Sequence, residues 1–522
     1  MNKGYDHILK RYDKKMAETA RKTAEMLHQG DLHADGTDRK EAPEALVYAV
    51  MPGLSYYVEW VLKQAQADGV RRLYFLARDG YLMYRMASEL CMSRNIPVEC
   101  RYLYGSRYAW RIPWYHLDWD GCLEKLCLDG LDVSFLSITE RAGMDRKEAR
   151  RQASRYWPET ADRTDRLEER MREQIPRAEL RVWKERLRTD REFRESVEKI
   201  SREAYESTLH YLRQEGLFEK IRYGLVDSGW VGSIQTTLER LLASAGCTAK
   251  PEGYYYGLYD LPEGADTARY HAFYFSPRRG LKNKVCFNNC LYECIFSSPE
   301  ESCRGYVWQE GEEMENGERK KGFWRPVTGR EGDEEERLEE GGKASSDGNP
   351  NRERILVTEK VLEAWMKEYQ ERQGTDRGET DGNLREISEK RNLRCQRALW
   401  KRLMCRPDAR EAEYFGGYLF SDDVGGKEEK RAAERLLDEE LKGLHVGRRL
   451  LGMAGAGKRE QRKGSAWMEG SIVRNGRHVK RELWNETVHK WLLYGGKELA
   501  VRMRWGKRMR QQKDCLRMSG RQ

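Results

Sequence analysis

The chain has 522 residues, 35% of them charged and 39% apolar, with a formal net charge of +9. That length allows about two to four domains with a sizeable core, and no run approaches the ~20 apolar residues that span a bilayer. The opening MNKGYDHILKRYDKKMAETARK lacks the apolar centre of a signal peptide, and the twelve cysteines are irregularly spaced, so a reduced, cytoplasmic protein is expected.

Residues 1–44 read as a polar helix followed by a loop. From 45 to 144 the pattern changes to helix, strand, helix, strand. The aromatic-rich helix MPGLSYYVEWVLKQAQADG stops at Gly69, a plausible terminator. The apolar run LYFLA leads into RDG and a second helical stretch, and VECRYLYGSRYAW follows Pro97. This alternation predicts a parallel α/β sheet. Residues 145–220 are highly charged and helical and read as an insertion or cap. The sheet pattern returns over 221–309, with IRYGLVDSGWVGSIQTTLERLL and the strand PEGYYYGLYDL. Residues 310–352 are polar, Gly-rich and acidic, as in a flexible linker, and 353–522 read as a helical, basic C-terminal region.

LYFLARDGY and YGLVDSGWVGS share a design: an apolar strand, an Asp, then Gly and a helix. In parallel α/β sheets such strand ends lie on one edge, where ligands bind. Asp79 and Asp227 are therefore candidate catalytic residues and candidate ligands for Mg²⁺, which takes one or two carboxylates plus phosphate oxygens. Gly80, Gly229 and Gly232 allow close backbone approach to a ligand, and Ser233 opens a helix whose first amides suit a phosphate. Arg78 and Arg107 are candidate phosphate-binding cations. Asp and Gly are also favoured in strand-to-helix turns for purely structural reasons; two such turns in strong apolar contexts favour a site.

RRLYFLARDGYLMYRMA, YLYGSRYAWRIP, YGLVDSGWVGSIQ and NNCLYECIFSSPEESCRGY, in this order, resemble a branch of the haloacid dehalogenase-like (HAD) hydrolases associated with bacterial surface-polysaccharide gene clusters. The resemblance covers about 45–310, with SAWMEGSIVRNG as an extension. It implies a Rossmann-like α/β fold, Mg²⁺ and phosphoryl transfer through an aspartyl-phosphate. The family's nucleophile strand ends in Asp-x-Asp-x-Thr. That motif is missing here: Asp79 is followed by Gly80 and Tyr81, and residues 1–45 contain no Asp-x-Asp. The resemblance then makes LYFLARDG the second motif, VDSGWVGS the late acidic motif, and Glu293 an acidic position able to reach the site, although a structural role for Glu293 is the default.

Cys286, Cys290 and Cys294 recur every four residues, as on one face of a helix, with Cys303 nearby. Their spacing fits neither an iron–sulfur nor a paired zinc pattern, so core packing is expected. The nine histidines form no clustered pair. Gly452 and Gly457-Lys458 match phosphate-loop spacing, but Arg459 replaces the Mg²⁺-binding hydroxyl. From 443 onward there are 20 Lys and Arg against 6 Asp and Glu, a net of +14, which leaves the rest near −5. With its interleaved aromatics, this tail suits an anionic membrane surface, ahead of nucleic acid; a solvated helical tail is the plain alternative.

The expected protein is HAD-like, α/β, with a helical insertion, cytoplasmic or peripheral at the inner membrane. It binds a phosphorylated small molecule or sugar with Mg²⁺ and extends to phosphohydrolysis. The alternative is an inactive HAD-like module that partners glycosyltransferases. A nucleotide-sugar transferase is a third reading.

Overall fold

The computed structural model describes residues 3–29, 44–128, 133–277, 279–311, 322–328, 349–373, 382–420, 430–436 and 465–519. Its centre is a five-stranded, all-parallel sheet of β1 (Arg72–Leu76), β2 (Glu99–Leu103), β3 (Tyr223–Trp230), β4 (Glu252–Leu258) and β5 (Tyr270–Phe275), in the order β2-β1-β3-β4-β5. The expected α/β class with a parallel sheet is present.

Period-two alternation explains why β1 is apolar from Leu73 to Leu76. Leu73 and Phe75 enter one core; Tyr74 and Leu76 enter the core on the opposite face. A strand covered on both faces reads as a continuous apolar run, and all five β1 residues are buried. On the first face lie the helices Met51–Ala67 and Tyr81–Arg94, and on the second lie Arg191–Gln214 and Ser233–Ser244. The helix Met51–Ala67 ends as expected, with Gly69 at φ +67° just beyond it, the left-handed conformation in which glycine carries no Cβ penalty.

The helical stretch between β2 and β3 has its own apolar core, running from Ile112 to Val197 and including Phe135, Leu167 and Phe193. It therefore starts before 145. Within the stretch read as a linker, Phe323–Thr328 forms β7, antiparallel to β6 (Cys303–Gln309), so that stretch is not uniformly linker. Gly452, Gly457, Lys458 and Arg459 lie outside the described residues.

The helices after 350 do not stand apart. Trp365 and Trp400 are fully buried in the first-face core. Trp365 Nε1 donates to Ser55 Oγ at 3.0 Å and Trp400 Nε1 to the Tyr256 hydroxyl at 2.5 Å. Tyr5 donates to Glu411 Oε1 at 2.7 Å, joining the first and last parts of the chain. No helix among the described residues is long and apolar enough to cross a membrane.

Candidate functional site at the sheet edge

The strand order 2-1-3-4-5 reverses direction between β1 and β3, and open α/β sheets bind ligands in the crevice at that point. The pairing opens the crevice directly. β3 pairs with β1 only up to Phe75–Val226, yet stays paired with β4 out to Trp230–Leu258. Asp227 is the first β3 residue past the parting. Asp79 lies in the Ala77–Gly80 turn that carries the chain away from β1. The two carboxylates thus stand on the two lips of one opening, although neither terminates its strand as the sequence suggested.

Ser228, the residue after Asp227, closes the gap. Its Oγ donates to Asp79 Oδ2 at 2.5 Å. Glu293 comes to the same place on the helix Asn289–Phe296, where its Oε1 accepts the indole N–H of Trp230. Asp79, Asp227 and Glu293 each remain partly exposed, while loss of solvation is the largest influence on each proton.

Burial, and then the charge of Asp79, push Asp227 up to about 7, against backbone N–H donation from Ser228 and Gly229. Burial and Asp79 push Glu293 up to about 8; the Trp230 bond, Arg107 and Arg78 oppose this. Asp79 is itself raised by burial, and Ser228, Arg78 and Arg107 pull the other way. Near neutral pH the three carboxyls hold a proton on Glu293 and compete for charge, an arrangement typical of sites that bind cations or move protons.

Arg78 and Arg107 act on this cluster through space, and neither side chain makes a hydrogen bond or ion pair among the described residues. Arg107 is exposed and opens the short helix Arg107–Arg111 after β2, capped by Ser106, which accepts from Ala109 N at 2.9 Å. Lys284 adds a buried cation. Its Nζ lies 5.1 Å from the Tyr259 ring and 5.7 Å from the Trp230 ring, and donates to Asn289 Oδ1 at 2.7 Å. Burial pushes its amine down to about 8, with Cys290 and Glu293 opposing.

The glycines serve the fold more than a ligand. The Gly80 N–H is taken by the Leu76 carbonyl at 2.8 Å, and a Cβ there would sit 2.6 Å from that oxygen. Gly229, at φ +103°, has its amide turned onto Asp227 and would carry a Cβ 2.6 Å from the Gly257 carbonyl. Gly232, at φ +70°, caps the helix that begins at Ser233 as the sequence suggested.

The sequence thus brings Asp79, Asp227, Arg78 and Arg107 to one place. It missed Ser228, Trp230 and Lys284 and undervalued Glu293. Ser228 stood in plain view between Asp227 and Gly229, but its partner is 149 residues away. The three-cysteine face is corrected: Cys286 ends the 3-10 segment Leu281–Cys286, Phe287 is extended, and only Cys290 and Cys294 share a helix. Eleven of the twelve cysteines, from Cys91 to Cys405, are free thiols. Asp118 and Asp120 form an Asp-x-Asp, yet Asp118 is a helix cap, accepting from Gly121 N at 2.9 Å, and Asp120 pairs with Arg188.

No group of three or more His, Cys, Asp or Glu side chains among the described residues is arranged to cage a metal ion. The Asp79–Asp227 pair instead has the donor chemistry Mg²⁺ uses when a substrate phosphate and waters complete its octahedron. A search against protein-family models finds no match for this chain, and none is found among curated proteins.

Proposed function

We propose that the chain binds a phosphorylated sugar or related phosphoanion at the β1/β3 crevice together with Mg²⁺, and hydrolyses its phosphate ester. The observation that carries this reading is the electrostatic coupling of Asp79 and Asp227 across the crevice, with Arg78 and Arg107 acting on the same carboxylates. Two raised carboxylates alone would repel an anion; with the arginines they form a mixed-charge floor suited to a metal–phosphate pair. Bound Mg²⁺ would neutralise charge on the phosphate and hold it against Asp79 and Asp227. The resemblance of RRLYFLARDGY and YGLVDSGWVGS to HAD-like hydrolases agrees with this chemistry.

In this reading Arg78 and Arg107 hold non-bridging phosphate oxygens. Ser228 keeps one Asp79 oxygen occupied and so aims the other. That free oxygen attacks phosphorus, forming an O–P bond as the ester P–O bond breaks. The departing oxygen takes the proton that Glu293 holds near neutral pH. Water then attacks the phosphorus of the acyl phosphate and gives a proton to the Glu293 carboxylate as the P–O bond to Asp79 breaks, releasing phosphate and restoring both the Asp79 carboxylate and the Glu293 acid.

A second reading is favoured by Tyr81, which stands where HAD nucleophile strands carry their second carboxylate. Its hydroxyl faces away from that role, donating to Glu359 Oε1 at 2.6 Å. Here the chain is a Mg²⁺-dependent phosphosugar-binding module that partners glycosyltransferases. One assay separates the two: Mg²⁺-dependent phosphate release from sugar phosphates and an aryl phosphate, beside calorimetric binding of the same compounds. Release lost in both Asp79→Asn and Asp227→Asn supports the hydrolase. Mg²⁺-dependent binding without release supports the module, and neither binding nor release rejects the site.

A further inference from the structure

A recess of about 290 Å³ is lined by residues other than those of the Asp79–Asp227 site. It is walled by the segment Leu281–Cys286, the π-helical segment Lys401–Cys405 and the helix Val479–Ser519. Of its eight lining residues three are cations, Lys282, Lys401 and Arg406, and none is acidic; Thr487 and Trp491 complete the helix side. All three cations are exposed, so the recess presents positive charge to whatever approaches it.

Trp491 belongs at once to this recess and to an apolar stripe. It is 61% exposed, and the same helix shows Trp484 at 64%, Leu499 at 60% and Met503 at 58%. With Leu492 these fall within about 120° of the helix circumference at 3.6 residues per turn. The helix carries eleven Lys and Arg against four Asp and Glu. Three of those acids, Glu482, Glu486 and Glu498, are buried. Glu486 lies 3.7 Å from Lys490, and Glu498 accepts the Lys282 backbone N–H at 2.9 Å. These three acids are therefore buried, while Trp, Leu and Met face outward, with exposed Lys480 along the Trp491 edge of the stripe and the recess cations beside Trp491 itself. Apolar side chains flanked by cations match an interface that is oily within and anionic at its rim; a nucleic acid would meet the charge but leave the stripe in water.

We propose that this helix docks on an anionic lipid bilayer, its Trp484–Trp491–Leu499–Met503 stripe in the acyl boundary and a lipid headgroup phosphate in the recess among Lys282, Lys401 and Arg406. The test is co-sedimentation of the full chain with phosphatidylcholine vesicles and with vesicles containing phosphatidylglycerol. The variants are Trp491→Ser/Leu499→Ser for the stripe and Lys401→Glu/Arg406→Glu for the recess. All four side chains are exposed, and circular dichroism on every variant verifies folding. Wild type is expected to bind anionic vesicles at least tenfold more tightly than neutral ones. Each basic residue at such a surface contributes about fivefold, so the recess variant should lose at least tenfold, and the stripe variant should lose binding to both vesicle types. Equal partition onto neutral and anionic vesicles, or binding unchanged in both variants, overturns the proposal. So does inorganic phosphate raising the melting temperature through Lys401 and Arg406 without vesicle binding, or a preference for duplex nucleic acid over vesicles.

Discussion

Ser228 and Asp79 are joined by a 2.5 Å hydrogen bond from the serine Oγ to Asp79 Oδ2, linking β3 to the turn after β1 across the parting of the sheet. A hydroxyl donating to a carboxylate stabilises the charged form, and hydrogen bonds to charged groups contribute about 1.5–3 kcal/mol. Ser228→Ala should therefore raise the Asp79 pKa by about one unit or more. Difference infrared spectroscopy of the carboxylic acid C=O band during a pH titration, with Asp79→Asn as the blank, reads this directly. An unshifted band would mean that the bond does not govern Asp79.

Asp227 gives a stability signature. Its folded pKa, near 7, lies above the ordinary aspartate value. The folded state therefore holds a proton that the unfolded chain releases at about pH 4. The stabilisation is fully present below about pH 4 and is lost as pH rises through about 7. Asp227→Asn removes that loss. The variant should exceed wild type by about 1–3 kcal/mol at pH 8 and differ little at pH 4, measured by urea denaturation at both values. A constant difference across pH would contradict this.

Gly229→Ala should fail for two independent reasons. Its φ of +103° disfavours any Cβ, and the added carbon would lie 2.6 Å from the Gly257 carbonyl on the neighbouring strand. Strain of this kind costs about 1–3 kcal/mol before the clash is counted. We expect a loss of at least about 3 kcal/mol, read from thermal or urea unfolding, whereas Gly246→Ala, with nothing within 4 Å of its Cβ, should cost less.

Glu359 fastens the helix Arg352–Gln373 to the sheet layer. It is buried, accepts from Tyr81 at 2.6 Å and pairs with Arg85. Removing one member of a buried charge pair leaves the other uncompensated, typically at 3–5 kcal/mol. Arg85 is partly exposed and also reaches Glu363 at 3.1 Å, so Glu359→Ala should cost about 2 kcal/mol, with faster amide exchange localised to that helix by mass spectrometry.

What could be read from the sequence follows the range of the interactions. β1 and the Asp79 turn occupy one contiguous run, and β3, Asp227 and Gly232 another, so apolar patterning and turn chemistry suffice to find them. Glu293 reaches the site because Trp230, bent back at φ +73°, presents its indole N–H to a helix that follows β5; no local pattern announces such a contact. Lys284 resembled any surface lysine, since only the surrounding rings of Trp230, Tyr259 and Tyr494 distinguish it. The later helices looked solvated because their apolar positions are sparse, yet those positions include Trp365 and Trp400, two large side chains that find Ser55 and Tyr256 over 144 residues or more.

Trp400 sealing Tyr256 sets an order on how the protein can be made. A ribosome adding about 5–20 residues per second completes the sheet strands by Phe275, but does not deliver Trp365 and Trp400 until several seconds later. During that interval Tyr57, Tyr256 and Tyr292 present a naked aromatic wall to the surrounding solution. A chain that stops before Trp365 lacks both indoles that cover this wall, leaving apolar surface of the kind that promotes association between partly folded chains.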